Sequence, residues 1–167
     1  YRYCSREELL ALLDPAPDAV VADLGSGTGF FTDDIAPAAG TVYAVDVQAE
    51  MHDYYREKGV PENVQLVEAD VASLPFDDDG LDAAFSTMVY HEFASDSAVT
   101  ELARVLRPGG RLVTVDWSKT GTGESGPPTD ERFGLGDAVS TLEANGFAVT
   151  EATSRFETFV CVARRTD

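Results

Sequence analysis

The segment 20–32, with the sequence VVADLGSGTGFFT, constrains the fold more than any other part of the chain. The apolar run 19–24 has the length and the β-branched content of a buried parallel strand. It is followed by Gly25, Gly27 and Gly29, and then by residues that can open a helix. Glycines are needed in such a turn because it is tight and because a ligand must approach the backbone closely. The segment therefore predicts the first half of a nucleotide-binding βαβ unit.

An acidic residue inside the predicted strand narrows the choice of ligand. The dinucleotide fingerprint Gly-x-Gly-x-x-Gly/Ala requires a small residue at its sixth position, where this chain has Phe30. The carboxylate of Asp23 would repel a pyrophosphate but could hold an α-ammonium group, directly or through water. The N–H groups at the start of the following helix favour a carboxylate or a phosphate. The expected ligand carries an amino-acid end and a ribose with little phosphate, a description that S-adenosyl-L-methionine fits.

The glycine motif resembles the first motif of the class I S-adenosylmethionine-dependent methyltransferases. A second stretch, LARVLRPGGRLVTVD at 102–116, is similar to the same family, and the resemblance extends over 6–165. It points to the small-molecule members of the ubiquinone/menaquinone methyltransferase type. It implies a doubly wound, three-layer α/β fold with a mostly parallel seven-stranded sheet, in the order 3-2-1-4-5-7-6 with the last strand antiparallel. The implied product of the cofactor is S-adenosyl-L-homocysteine.

Acidic residues at the ends of the next two strands extend the predicted cofactor site. Asp46 ends the second strand, beside the glycine turn, where a carboxylate can accept both ribose hydroxyls. Asp70 follows the third strand and resembles the adenine-binding acid of the family, although capping of the next turn is the alternative role. Val71 is expected to pack on the adenine ring. By the same resemblance Val47, and after it Gln48, flank the adenine.

The end of the fourth strand is expected to flank the methionine part of the cofactor. In an open α/β sheet, ligands bind outside the carboxyl ends of the strands where the strand order reverses. Strand four adjoins strand one at that point. The predicted cofactor-binding residues are therefore Asp23, Gly25, Ser26, Gly27, Thr28, Gly29, Asp46, Val47, Asp70, Val71, Ser86, Thr87 and Met88.

The residues just beyond strand four are candidates for the acceptor side of the site. An acceptor with a protonated oxygen or nitrogen requires a base, for which His91 is the first candidate and Glu92 and Tyr90 are the reserves. His91 is one of two histidines, and the other, His52, is expected to face solvent on a helix. A lone histidine is more often structural than catalytic, so both roles of His91 stay open.

The chain is expected to form one domain over 1–167, because no linker or repeat divides it. A helix over 1–14 opens it. The segment 117–133 is rich in Gly, Pro, Ser and Thr and leaves from the carboxyl end of strand five. Loops of this length are usually functional or disordered. We predict an acceptor-side loop, with Trp117 and Lys119 as its contacts.

The charge of the chain limits its partners. Thirty Asp and Glu face 12 Lys and Arg, for a net charge of −18. Such a surface repels nucleic acid and anionic membranes. The acids are spread along the whole chain, which favours adaptation to high salt over a cationic partner and resembles proteins of salt-loving archaea. No apolar run approaches the roughly 20 residues of a membrane span, so a soluble, cytoplasmic protein is expected. Cys4 and Cys161 lie in unlike contexts and predict neither a disulfide nor a metal site.

Together these features predict transfer of a methyl group to a small-molecule O, N or C nucleophile by in-line displacement. The Asn/Asp-Pro-Pro-Tyr signature of adenine-amino methyltransferases is absent from the end of strand four, where Ser-Thr-Met-Val stands. A monomer or homodimer is expected. Two alternatives remain: a module that binds S-adenosylmethionine without catalysis, and an NAD(P)-dependent oxidoreductase, against which Phe30 and Asp23 argue.

Overall fold

Short apolar strands alternate with helices, as in a parallel sheet whose strands are joined by helical crossovers. The computed structural model describes residues 1–167. The strands are β1 (Val20–Leu24), β2 (Thr41–Asp46), β3 (Val64–Glu68), β4 (Leu81–Thr87), β5 (Leu106–Trp117), β6 (Phe147–Ser154) and β7 (Thr158–Arg165). The helices are α1 (Arg6–Leu13), α2 (Phe30–Ile35), α3 (Ala49–Lys58), α4 (Tyr90–Phe93), α5 (Asp96–Val105) and α6 (Leu135–Ala144), with 3₁₀ turns at Ala36–Ala38 and Thr129–Glu131.

The seven strands form one sheet in the order β3-β2-β1-β4-β5-β7-β6, which confirms the predicted topology. Strands β1 to β5 pair in parallel, whereas β7 is antiparallel to both β5 and β6. Because β1 lies between β2 and β4, the strand order reverses there. The carboxyl ends of these three strands thus border the crevice at which ligands bind in open α/β sheets.

Alternate residues of the central strands pack into two hydrophobic clusters. Val21 belongs to one cluster and Ala22 to the other, and Val113 and Leu112 of β5 divide in the same way. Successive side chains of a strand point to opposite faces, so the clusters lie on the two sides of the sheet. Buried residues of α5 and α6 join the cluster of Ala22, and those of α1, α2 and α3 join that of Val21. The result is the predicted three-layer sandwich.

Two element boundaries differ from the sequence prediction. The first helix begins at Arg6 because Ser5 is its N-cap, whose Oγ accepts a hydrogen bond from the backbone N–H of Glu8 at 3.1 Å. The sequence predicts that Pro108-Gly109-Gly110 forms the turn between a helix and strand five, whereas β5 begins at Leu106 and includes this segment. The register between β4 and β5 shifts at this segment, which is how the tight backbone is accommodated.

His52 is buried, which corrects the prediction that it faces solvent. The residue is 3% exposed, and Nε2 of its ring lies 3.0 Å from the carbonyl oxygen of Val67 in β3. The sequence of α3, AEMHDYYREK, has few apolar residues, so its pattern does not reveal which face packs on the sheet. None of the helices is long and apolar enough to span a membrane.

Candidate functional site

The glycine turn after β1 is clamped between two side chains. A Cβ on Gly29 would lie 2.2 Å from the ring of Tyr55, and a Cβ on Gly25 would lie 2.6 Å from Cγ2 of Val89. Gly27 has open space where its Cβ would be, so the turn is accessible at its centre. All three glycines have positive φ, between 56° and 86°, a conformation that L side chains rarely adopt. Sterics and backbone conformation therefore both require glycine at Gly25 and Gly29.

Asp46 ties the end of β2 to this turn. Its Oδ2 accepts a hydrogen bond from the backbone N–H of Gly27 at 2.8 Å, and its Oδ1 accepts one from the N–H of Gln48 at 2.9 Å. A carboxylate has about four lone-pair positions, so each oxygen keeps acceptor capacity for a ligand. The fixed carboxylate is thus suited to binding two adjacent hydroxyl groups.

A cavity of about 480 Å³ lies at the carboxyl ends of β1, β2 and β3. This volume falls in the range of roughly 300–1,000 Å³ that is common for small-molecule sites. Its wall includes six of the predicted cofactor-binding residues, namely Gly25, Gly27, Asp46, Val47, Asp70 and Val71. Glu92, predicted as a reserve base, and Gln48 also line it.

The other predicted cofactor residues lie outside the wall of this cavity. Ser86 is buried and its Oγ donates a hydrogen bond to Oγ1 of Thr114 at 3.3 Å. Met88 has a φ of 63° and donates its backbone N–H to the carbonyl of Val115 at 2.7 Å, so the residue that follows β4 has a strained backbone. The buried Oγ of Ser26 has no hydrogen-bond partner within the protein. The remaining members of this group are Asp23, Thr28, Gly29 and Thr87.

Six further residues that the sequence did not single out complete the cavity wall. They are Met51, Ala69, Ala72, Val89, Phe93 and Ser95. Ala69 and Ala72 flank the predicted pair Asp70 and Val71, so proximity in the chain could have identified them. The others depend on how α3, α4 and the start of α5 fold over the sheet, which no local pattern indicates.

Asp23 is a buried carboxyl group beneath the glycine turn. It is 2% exposed, and its Oδ2 accepts a hydrogen bond from the Thr32 hydroxyl at 2.7 Å. Burial raises the pKa of Asp23 from 3.8 to about 7, the negative charge of Asp46 adds to this rise, and the Thr32 hydrogen bond opposes it. A cationic group arriving beside Asp23 would favour its ionised form.

A second buried carboxylate, Asp116 near the end of β5, holds His91. Its oxygens lie 3.0 and 3.1 Å from Nδ1 of His91, and they also accept the backbone N–H groups of His91 at 2.7 Å and Trp117 at 2.8 Å. Burial raises the pKa of Asp116, and the contact with His91 acts in the opposite direction. The sequence analysis missed Asp116, although an acid near a strand end beside the ligand crevice is the signal that identified Asp46.

The two reserve candidates occupy different environments. The Tyr90 ring is 2% exposed and packs edge-on against Phe93, Phe133 and Phe159, with centroid distances of 5.5, 5.8 and 6.4 Å. Burial raises the pKa of Tyr90 to about 12. Glu92 is exposed, with Oε1 at 4.0 Å from Nε2 of His91. The environment of Tyr90 is that of a core residue, and only Glu92 of the two lines the cavity.

The segment 117–133 is folded around the buried guanidinium of Arg132. This group donates hydrogen bonds to the carbonyl oxygens of Ser118, Ser125 and Pro127, and it lies 5.1 Å from the ring centroid of Trp117. The ammonium group of Lys119, the other predicted contact in this loop, forms a half-exposed ion pair with a carboxylate of α6. A buried arginine that the sequence did not single out thus joins several parts of this loop.

The chain is similar to known methyltransferases in sequence and in structure. The methyltransferase domain family model matches residues 22–114. An uncharacterized methyltransferase of Mycobacterium tuberculosis is 33% identical over 148 residues, which are 81% of this chain and 60% of that protein. A demethylmenaquinone methyltransferase of Corynebacterium kroppenstedtii is 36% identical over 107 residues, 64% of this chain and 45% of that protein. The chain thus spans about half the length of the curated relatives it matches.

Structural similarity extends over nearly the whole chain. The crystal structure of a SAM-dependent methyltransferase from Aquifex aeolicus superimposes with a TM-score of 0.86 at 27% identity, covering 98% of this chain and 91% of that one. The strand order, the glycine turn and the family match agree with one another. The chain therefore belongs to the methyltransferase domain family, and its fold is that of the S-adenosylmethionine-dependent methyltransferases.

Proposed function

We propose that this chain transfers a methyl group from S-adenosylmethionine to a small-molecule nucleophile. The observation that carries the proposal is the carboxylate of Asp46, which is fixed by the N–H of Gly27 at 2.8 Å and faces a cavity of about 480 Å³. The Corynebacterium relative, whose printed name is demethylmenaquinone methyltransferase, supports a small acceptor. The net charge of −18 argues against a nucleic-acid substrate.

The residues of the cavity fit the chemistry of this cofactor. The lone pairs that remain on Asp46 can accept the two ribose hydroxyls, and Asp70 can accept the adenine amino group. Val47 and Val71 supply apolar surface for the adenine ring. In this proposal Asp23 holds the α-ammonium group, directly or through water. When bound, S-adenosylmethionine supplies a methyl group that its sulfonium has already activated.

The acceptor side is proposed to include His91 and the segment 117–133. His91 lies just beyond β4. Oδ1 of Asp116 is 3.0 Å from Nδ1 of His91, so Nε2 is the ring nitrogen that remains to accept a proton from the substrate. Its side chain is 11% exposed, which limits access by bulk water. The protein's main task is then to align the acceptor and the methyl group within about 3–3.5 Å and to exclude water.

The test combines binding and turnover measured on the wild-type chain and on His91→Asn. Calorimetry should show binding of S-adenosylmethionine and no binding of NAD. Turnover of a panel of acceptors should release S-adenosylhomocysteine. His91→Asn should keep the affinity for the cofactor and lower turnover by roughly 10²–10⁴-fold, the usual contribution of a general base. Turnover should also fall at acid pH, because a protonated imidazole cannot accept a proton.

Three results would contradict parts of this proposal. Binding of NAD in place of S-adenosylmethionine would support an oxidoreductase. Tight binding of S-adenosylmethionine with no turnover of any acceptor would support a binding module without catalysis. Loss of cofactor affinity in His91→Asn would make His91 a wall residue of the cofactor site, and the acceptor-side role would pass to Glu92 or to the Trp117 loop.

A further inference from the structure

We propose that Asp116 is a positioning residue that fixes His91 with Nδ1 protonated and Nε2 free, so that the site takes acceptors that give up a proton to a base during methylation. The inference rests on the proposed methyl transfer. It adds a residue and the chemical class of the acceptor, one that loses a proton, as opposed to a tertiary amine or a thioether, which loses none.

The first step is the arrangement of donors around Asp116. The backbone N–H of Trp117 reaches Oδ1 at 2.8 Å, and the backbone N–H of His91 reaches Oδ2 at 2.7 Å. Nδ1 of His91 lies between the two oxygens, at 3.0 and 3.1 Å. An ionised carboxylate only accepts hydrogen bonds, so Nδ1 must carry the proton in this contact. The neutral ring then has its acceptor lone pair on Nε2.

The second step is the rigidity of this contact. Asp116 has no exposed side-chain surface, and its strand pairs with β4 on one side and β7 on the other. The backbone hydrogen bond to Asp116 also fixes the main chain of His91 at the start of α4. His91 is therefore held both at its backbone N–H and at Nδ1 of its ring. The two contacts together fix the orientation of the ring relative to β5.

The third step concerns the charges that face His91. Asp116 faces it from β5, and Glu92 of its own helix has Oε1 at 4.0 Å from Nε2. Tyr90, the other titratable group beside it in the chain, has its ring in the core. No lysine or arginine forms an ion pair with the ring. The ring therefore has a carboxylate near each of its nitrogens and no competing cation.

This arrangement is suited to an acceptor that must lose a proton, as an alcohol or an amine does. The acceptor oxygen or nitrogen bonds the methyl carbon, and the carbon–sulfur bond breaks with its electron pair remaining on sulfur. The proton of the acceptor passes to Nε2 of His91, which later releases it to solvent. Atoms and charge balance, because the positive charge of the sulfonium leaves as that proton. A base with a single free lone pair at the site has no use when the acceptor has no proton to lose.

The tautomer of His91 can be measured in the protein without cofactor. The chain has only two histidines, so ¹⁵N-histidine labelling gives two imidazole spin systems, and His91→Asn assigns them. Long-range ¹H–¹⁵N correlation should show the proton of His91 on Nδ1. Detection of the Nε2–H tautomer in the wild-type chain would overturn the inference without requiring any variant to fold.

The second measurement uses Asp116→Asn. An amide places an NH₂ group where one of the three N–H donors now points, so the Nδ1–H preference of His91 should be lost. Turnover of an O–H or N–H acceptor should fall at least 10²-fold while the dissociation constant for S-adenosylmethionine stays within twofold. Glu62→Gln, which removes an exposed charge on the α3–β3 connection, should change none of these quantities.

Each remaining outcome decides the inference. A lower rate with an unchanged tautomer would mean that Asp116 is only structural, which overturns it. Turnover confined to acceptors that lose no proton, such as tertiary amines or thioethers, would also overturn it and would leave the proposed methyl transfer intact. Failure of the wild-type chain to bind S-adenosylmethionine would overturn both.

Discussion

Replacement of Asp23 by asparagine is expected to stabilise the folded chain at neutral pH and to change its stability little at pH 4. Asp23 is 2% exposed, and burial raises its pKa from 3.8 in a solvated chain to about 7. Below pH 4 the carboxyl group is protonated in both the folded and the unfolded chain. Between pH 4 and pH 7 the unfolded chain ionises Asp23 while the folded chain keeps it protonated, so folding becomes less favourable as the pH rises.

The size of this effect follows from the shift. A difference of one bound proton between the folded and the unfolded chain changes the free energy of unfolding by about 1.4 kcal/mol per pH unit. Because of Asp23, the free energy of unfolding of the wild-type chain should therefore fall by about 2–3 kcal/mol between pH 5 and pH 7. Asparagine is neutral at every pH and can still accept the hydrogen bond of Thr32 through its oxygen. The stability advantage of Asp23→Asn should therefore grow from near zero at pH 4 to its full value above pH 7.

The assay is urea denaturation of both proteins at several pH values between 4 and 8, at one fixed KCl concentration. Subtraction of the two curves removes the contributions of all other groups, including Asp116. Thr32→Val should act in the opposite direction, because it removes the only hydroxyl donor to Asp23. Without this hydrogen bond the pKa of Asp23 should rise further, and the loss of stability with rising pH should continue to higher pH. If the difference between wild type and Asp23→Asn is independent of pH, the carboxyl group is ionised in the folded chain and this reasoning is wrong.

Three further predictions concern the cofactor site, the glycine turn and the charge. Asp46→Ala should weaken binding of S-adenosylmethionine by about 1.5–3 kcal/mol in calorimetry, because ribose hydroxyls and the Gly27 N–H lose their acceptor, and unchanged affinity would contradict its assignment. Gly29→Ala should destabilise the fold more than Gly27→Ala, since both have positive φ but only the first would meet the Tyr55 ring, and equal melting temperatures would refute the steric argument. The melting temperature should rise steeply up to molar KCl if the charge of −18 is an adaptation to salt, and a flat dependence would favour a cationic partner instead.

Several features of the fold could be predicted from short stretches of sequence. The glycine turn follows from Gly25, Gly27 and Gly29 after an apolar run, because backbone conformation and close approach are local requirements. The strand order was implied by the family resemblance that this turn and the segment 102–116 carry, and the sheet confirms it. The position of Asp46 at a strand end was sufficient to predict its place beside the turn, 2.8 Å from the N–H of Gly27.

Partners that are distant in sequence were beyond such reasoning. The sequence identified His91 but not Asp116, which is 25 residues away and reaches it only because β5 lies beside β4. His52 was expected in solvent because α3 carries too few apolar residues for its buried face to be recognised. Arg132 orders the loop 117–133 through three carbonyl oxygens, and no periodicity or turn propensity indicates such a contact.

The sequence by itself thus determined the fold family, the glycine turn and the acids at the strand ends. These depend on backbone conformation, on hydrophobic period and on residues within one βα unit, all of which act over a few positions along the chain. The tertiary structure alone decided that Asp23 is almost entirely buried beneath the turn, that Tyr90 belongs to the core and that Asp116 holds His91. Burial and side-chain pairing depend on which surfaces meet when the helices pack on the sheet, and that packing is a property of the whole chain.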